Sequence, residues 1–142
     1  MPIDLVPLCQ IRLRRGPRFD TGVSSIGRRA VAEVAELTVT GERLRGRLAG
    51  AAGADWATTG GDGLTYIDAR FTIETDDGAH ILVTYTGRID DLRKHPDAFA
   101  YTSPVFFTGD PRYRWLAGIQ AVAKGYFEAD PEVMVYDVYE VR

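Results

Sequence analysis

Asp68 and Arg70 are the residues of this chain whose types and spacing first suggest chemistry. They stand two apart in a run that alternates like a strand, so a carboxylate and a guanidinium share one face. In an enclosed site such a pair supplies a general base and an electrostatic anchor for a developing oxyanion. On an open strand face it is an ion pair of small energetic consequence. The face decides between them: Ile67, Ala69, Phe71 and Ile73 read as the buried side, which leaves the polar side to solvent, a dimer interface or a polar pocket. Aromatic side chains are the second resource. Trp56, Tyr85, Tyr101, Phe107 and Trp115 would wall an apolar pocket if they converged, with Tyr85 or Tyr101 donating a hydrogen bond; otherwise they are core or interface contacts.

Other chemistries lack their motifs. No Gly-x-Gly-x-x-Gly and no P-loop sequence occurs, so neither a dinucleotide nor a nucleoside triphosphate has its usual backbone cradle. Gly22-Val23-Ser24-Ser25-Ile26-Gly27 misses the nucleophile-elbow pattern by one residue. His80 and His95 are far apart, Cys9 is alone, and neither His-Glu-x-x-His nor Cys-x-x-Cys is present. We therefore expect no metal and no cofactor.

The elements that must position these groups are strands. Residues 65–75 and 80–89 form two runs of period two joined by Asp76-Asp77-Gly78, the pattern of a hairpin. Residues 5–13 alternate with Leu5, Pro7, Cys9, Ile11 and Leu13 on one side, and residues 101–108, 119–127 and 133–141 are rich in Val, Tyr and Phe. Residues 28–37 suit a helix on propensity, although Val31, Glu33, Ala35 and Leu37 also permit a strand. Residues 90–99 are polar around Pro96, a loop with at most one helical turn, and Pro111 opens a second short helical turn. Many short strands with frequent glycine predict an all-β, mostly antiparallel chain: one small β-barrel over residues 1–142, calycin-like or allene-oxide-cyclase-like.

Composition narrows the partners. The 142 residues carry 17 Lys+Arg against 20 Asp+Glu, a net charge of −3, so although the first fifty residues are basic the field that nucleic acid needs is missing. No uncharged stretch approaches the roughly 18 residues of a membrane span, the N-terminus lacks a signal-peptide pattern, and a single Cys forms no internal disulfide. A cytoplasmic protein is expected, with no nucleic-acid or membrane partner.

Several segments, taken in order, resemble one family. Gly27-Arg28-Arg29, Ala54-Asp55-Trp56, Asp68-Ala69-Arg70-Phe71 and Arg112-Tyr113-Arg114-Trp115-Leu116 are similar to domain-of-unknown-function family 3237, and the likeness spans nearly the whole chain. The resemblance implies a small antiparallel barrel that dimerises, and hence a strand for residues 30–35. It also brings Asp55 and Trp56 forward as candidate site residues. After Leu116 the chain has Ala117-Gly118-Ile119-Gln120 where the family has a polar residue near an Asn-Arg pair.

The expected function is a cofactor-independent isomerase, cyclase or dehydratase-like lyase acting on a small hydrophobic or aromatic molecule inside the barrel. Asp55 or Asp68 would be the acid or base, Arg70 the anion stabiliser, and Tyr85 or Tyr101 the donor, with Trp56, Phe107 and Trp115 as walls. The alternatives are a non-catalytic carrier of a similar ligand and a structural dimerisation module. A homodimer is expected in each case.

Overall fold

The computed structural model describes residues 1–90 and 98–142; most of the loop expected over residues 90–99, with His95, lies outside them. Eight strands follow one another: β1 (Leu5–Ser24), β2 (Gly27–Thr40), β3 (Gly46–Thr59), β4 (Leu64–Thr75), β5 (His80–Asp90), β6 (Ala100–Phe107), β7 (Gln120–Phe127) and β8 (Val133–Val141). Every strand pairs antiparallel with its chain neighbours and β1 also pairs with β8, which closes an up-and-down barrel. Closure pairs every strand with two neighbours, although the far part of β1 and residues 103–107 of β6 are paired on one side only. Between β6 and β7 the chain makes one 3₁₀ segment, Pro111–Gly118, with Pro111 in its first turn and the Asp110 carboxylate accepting the Arg112 N–H.

Two segments depart from simple alternation. In β1, Leu8 and Cys9 are both buried while Leu5 and Pro7 are exposed, because a bulge between Pro7 and Cys9 shifts the register against β8. The Ala- and Gly-rich stretch that forms β3 carries no β-branched signal before Thr58 and reads as strand only in its pairing with β2 and β4. Residues 28–37 lie within β2.

The two ends of the barrel differ. One is packed solid: Phe71, Ile73, Ile81 and Val83 fill the lumen, and Leu44 and Leu116 cap it, all almost fully buried. Over this cap the Arg43 guanidinium lies 4.4 Å from the Trp115 ring centroid and bonds Glu140 Oε2 at 2.7 Å, while Arg142 holds the same carboxylate at 3.0 Å. Two guanidiniums hold the Glu140 carboxyl down at about 2. At the other end β8 stops pairing with β1 at Arg14↔Val133, and the rest of β1 pairs with β2 alone as far as Ser24↔Gly27. That hairpin overhangs the rim. Among the described residues no helix is long and apolar enough to cross a membrane.

Candidate functional site

A bulge in β3 decides which side chains enter the barrel. Leu48 pairs with Ile73 and Gly53 with Phe71, so residues 49–52 are opposed by Thr72 alone. An odd number of extra residues inverts the alternation, and every later side chain changes face. Gly50 makes the turn possible, with φ of 55° in the left-handed region that glycine occupies without a Cβ clash. As a result Asp55 points inward and Trp56 outward. The register runs to Asp55↔Ala69 and resumes at Thr58↔Tyr66; between them Asp55 Oδ1 accepts the Asp68 N–H at 3.0 Å.

Asp55 faces a cavity of about 180 Å³ at the overhung end of the barrel. Its apolar wall includes Leu13, Val34, Ile67, Ile89, Phe127 and Met134, and the small lumen residues Ala30, Ala32 and Ala57 leave the space unfilled. Tyr85 and Tyr136, 7% and 4% exposed, line it with rings 5.6 Å apart and tilted by 54°. Phe71 meets Tyr85 edge-on at 5.9 Å from the packed side, and Tyr136 Oη donates to Met134 Sδ at 3.5 Å. Gly125 sits directly against the Tyr136 ring, where any Cβ would collide with Cε1 and Cδ1. Arg15, Arg18 and Glu33 line the outer part.

Burial pushes the Asp55 carboxyl up, against the pull of the Asp68 N–H and of the Arg15 and Arg18 charges; the nearby Asp68 charge adds to the rise. Burial raises Tyr85 first, then the Tyr136 and Asp55 charges, while Tyr136 rises through burial and then Asp55. Both phenols are therefore neutral donors at physiological pH, next to a carboxyl whose proton is held more tightly than usual. Cys9, beside the packed end, is pushed up to about 12 by burial and is not a thiolate nucleophile at neutral pH. Among the described residues no group of three or more His, Cys, Asp or Glu side chains forms a metal cage.

The sequence-derived candidates divide between inside and outside. Asp55 and Tyr85 line the cavity. Asp68 and Arg70 stand on the outer face with side chains 47% and 59% exposed, paired at 3.7 Å, and Arg70 lies 5.4 Å from the Trp56 ring centroid. Tyr101 and Phe107 are exposed on the outer face of β6, and Trp115 belongs to the 3₁₀ segment beneath Arg43. The inward row of β4 is Ile67, Ala69, Phe71 and Ile73, so Asp68 and Arg70 lie on the opposite side of the sheet from the Asp55 cavity. Tyr136, an aromatic of a predicted strand that was not among the chosen site residues, joins the cavity, as do Arg15 and Arg18. Tyr136 lies in Val133-Met134-Val135-Tyr136, where four consecutive residues are buried and no alternation marks the lumen side.

A family described as protein of unknown function (DUF3237) matches residues 3–141. The chain belongs to that family. It is 29% identical over 120 residues to the hydroalkoxylation enzyme phnH of Penicillium herquei, covering 84% of this chain and 72% of the relative. A crystal structure of an enzyme from Penicillium herquei superposes with a TM-score of 0.76 at 25% identity, covering 100% of this chain and 96% of that one. A β-barrel-like protein from Acinetobacter baumannii superposes with a TM-score of 0.88 at 29% identity, covering 100% and 98%. The DUF3237 barrel thus has an enzyme among its relatives.

Proposed function

We propose that this DUF3237 barrel is a cofactor-independent enzyme of the cyclase type, isomerising a small hydrophobic or aromatic molecule in the Asp55 cavity. The observation that carries this reading is the cavity itself, which joins a carboxyl with a raised pKa to two neutral buried phenols. The relative's hydroalkoxylation supports it, since adding a hydroxyl across a carbon–carbon double bond needs proton transfers and no redox partner.

In the proposed step Asp55, in its acid form, gives its proton to one alkene carbon while the substrate hydroxyl oxygen bonds to the other. The π bond is consumed, a C–O bond forms, and the hydroxyl proton returns to the Asp55 carboxylate, so mass is unchanged. Burial serves this role twice: it raises the protonated share of Asp55 above that of an exposed carboxyl, and it strengthens hydrogen bonds from Tyr85 and Tyr136 to the substrate oxygen. The apolar wall holds the reacting chain folded on itself.

The test is a panel of hydroxyl-bearing alkenes of one or two rings, assayed by chromatography with mass detection for conversion at unchanged mass. Conversion by the native chain and its loss in Asp55→Asn support the reading. If the native chain binds panel members without converting them, and Asp55→Asn binds them equally, the barrel is a carrier.

The protomer is also proposed to form a homodimer through the outer face of β3 to β6, where Trp56, Tyr66, Leu82, Tyr101, Val105 and Phe107 are exposed.

A further inference from the structure

Resting on the reading of the cavity as the substrate site, we propose that its substrate carries a planar oxyanion, of the carboxylate class, next to the ring or alkene that enters the barrel, and that Arg18 with Arg15 receives it. Size is the first constraint. A lumen of about 180 Å³ is close to the roughly 150 Å³ that encloses a single benzene ring, so only one ring-sized portion of a ligand is housed and any further group must lie at the outer part.

Charge is the second. The outer lining holds two guanidiniums, on β1 where it overhangs the rim. Arg18 forms no ion pair or hydrogen bond with a carboxylate among the described residues, in a chain where Arg12, Arg14, Arg28, Arg43 and Arg112 each have one. Arg15 is partly committed: Nη2 donates to the Pro131 carbonyl at 2.7 Å, and its guanidinium lies 5.2 Å from the Phe127 ring centroid. It is also ion-paired with Glu132, whose Oε2 lies 3.4 Å from Nε, so Arg18 carries the uncommitted charge. The Arg15 Nε is nevertheless buried without an aligned hydrogen-bond acceptor. A buried N–H of a cation without an acceptor is costly, and a ligand oxygen would supply what the fold does not. The two acids of the same lining do not cancel this charge. Glu33 is exposed and makes no ion pair with either arginine, and Asp55 lies deeper, with its Oδ1 already bonded to the Asp68 N–H. A carboxylate matches the planar fork of a guanidinium, and anchoring it at the rim would turn the attached ring or alkene toward Asp55.

The experiment titrates the full chain with benzoate and with benzamide, which have the same ring and differ in charge, by calorimetry at low salt. We expect benzoate to bind at least about tenfold more tightly than benzamide, in keeping with a charge-assisted hydrogen-bonded contact. Arg18→Gln should remove most of that preference while leaving benzamide affinity within about twofold. Arg15→Lys, which keeps the charge but loses the fork, is the second variant and should weaken benzoate selectively. Equal binding of the two probes, or a preference unchanged in both variants, overturns the oxyanion assignment while leaving the cavity as a ring-binding site. Failure of both probes to bind at millimolar concentration overturns the assignment and the cavity reading together.

Discussion

At the scale of single residues, Asp55 carries a cost as well as a role. Its pKa is raised in the fold, so the folded chain holds this proton more tightly than the unfolded chain does. The favourable contribution is complete below the usual carboxylate value of 3.8 and disappears as pH rises through the raised value. Asp55→Asn keeps an oxygen to accept the Asp68 N–H and removes the buried charge. We expect its Tm at pH 7.5 to exceed the native value by about 2–5 °C, with the advantage vanishing near pH 3, as followed by circular dichroism. Turnover should fall by about a hundredfold or more. Asp68→Asn and Arg70→Ala, on the outer face, should leave turnover within about twofold; loss of activity in both would return the chemistry to that strand face. Asp68 and Arg70 were legible as a pair but not as outward-facing chemistry, because a strand pattern tells which residues share a face and says nothing of which face encloses a pocket.

At the scale of elements, β3 shows why part of the site was hidden. The alternation of residues 65–75 correctly separates the two faces of β4, since one side is steadily apolar. In β3 the string Gly50-Ala51-Ala52-Gly53 has no polarity to lose by slipping, so nothing in composition tells that the side-chain order inverts there. The family resemblance raised Asp55 as a candidate, and the bulge explains how it enters the lumen. This makes a parity test possible. Removing Ala51 alone leaves an even number of extra residues and sets Trp56 against the lumen, so we expect loss of ring binding and destabilisation by about 3 kcal/mol or more. Removing Ala51 and Ala52 together preserves the inversion and should retain more stability than the single deletion, an ordering that denaturant titration would reveal. The resemblance likewise gave residues 30–35 as strand where propensity alone left helix open, because pairing on both sides outweighs intrinsic preference.

For the whole molecule, the barrel class was legible because six strand-like runs, three of them clearly of period two, recur along the chain, whereas the vacancy at one end was not. Whether a lumen is filled depends on how small residues from different strands stack, and Ala30, Ala32 and Ala57 meet only in three dimensions. The proposed homodimer belongs to this scale as well. Asp68 beside Arg70 makes the outer face of β4 self-complementary, since a two-fold axis would set each acid against the other copy's base. Sedimentation at micromolar concentration should therefore give twice the 15.7 kDa chain mass, and Tyr101→Glu with Phe107→Glu should give the monomer. A monomer at all concentrations for the native chain would remove this interface.

The Leu44 and Leu116 cap, braced by Arg43, Glu140 and Trp115, makes the barrel a cul-de-sac. On the proposed reading a product leaves by the end through which its substrate entered, since the capped end is closed. Substrate and product then compete for the same vacancy, so added product should raise the apparent KM and leave kcat unchanged. Long chains cannot be threaded through and worked on successively. If the proposed reaction holds, a ligand reaches Asp55 end-first and its reacting portion lies at a terminus.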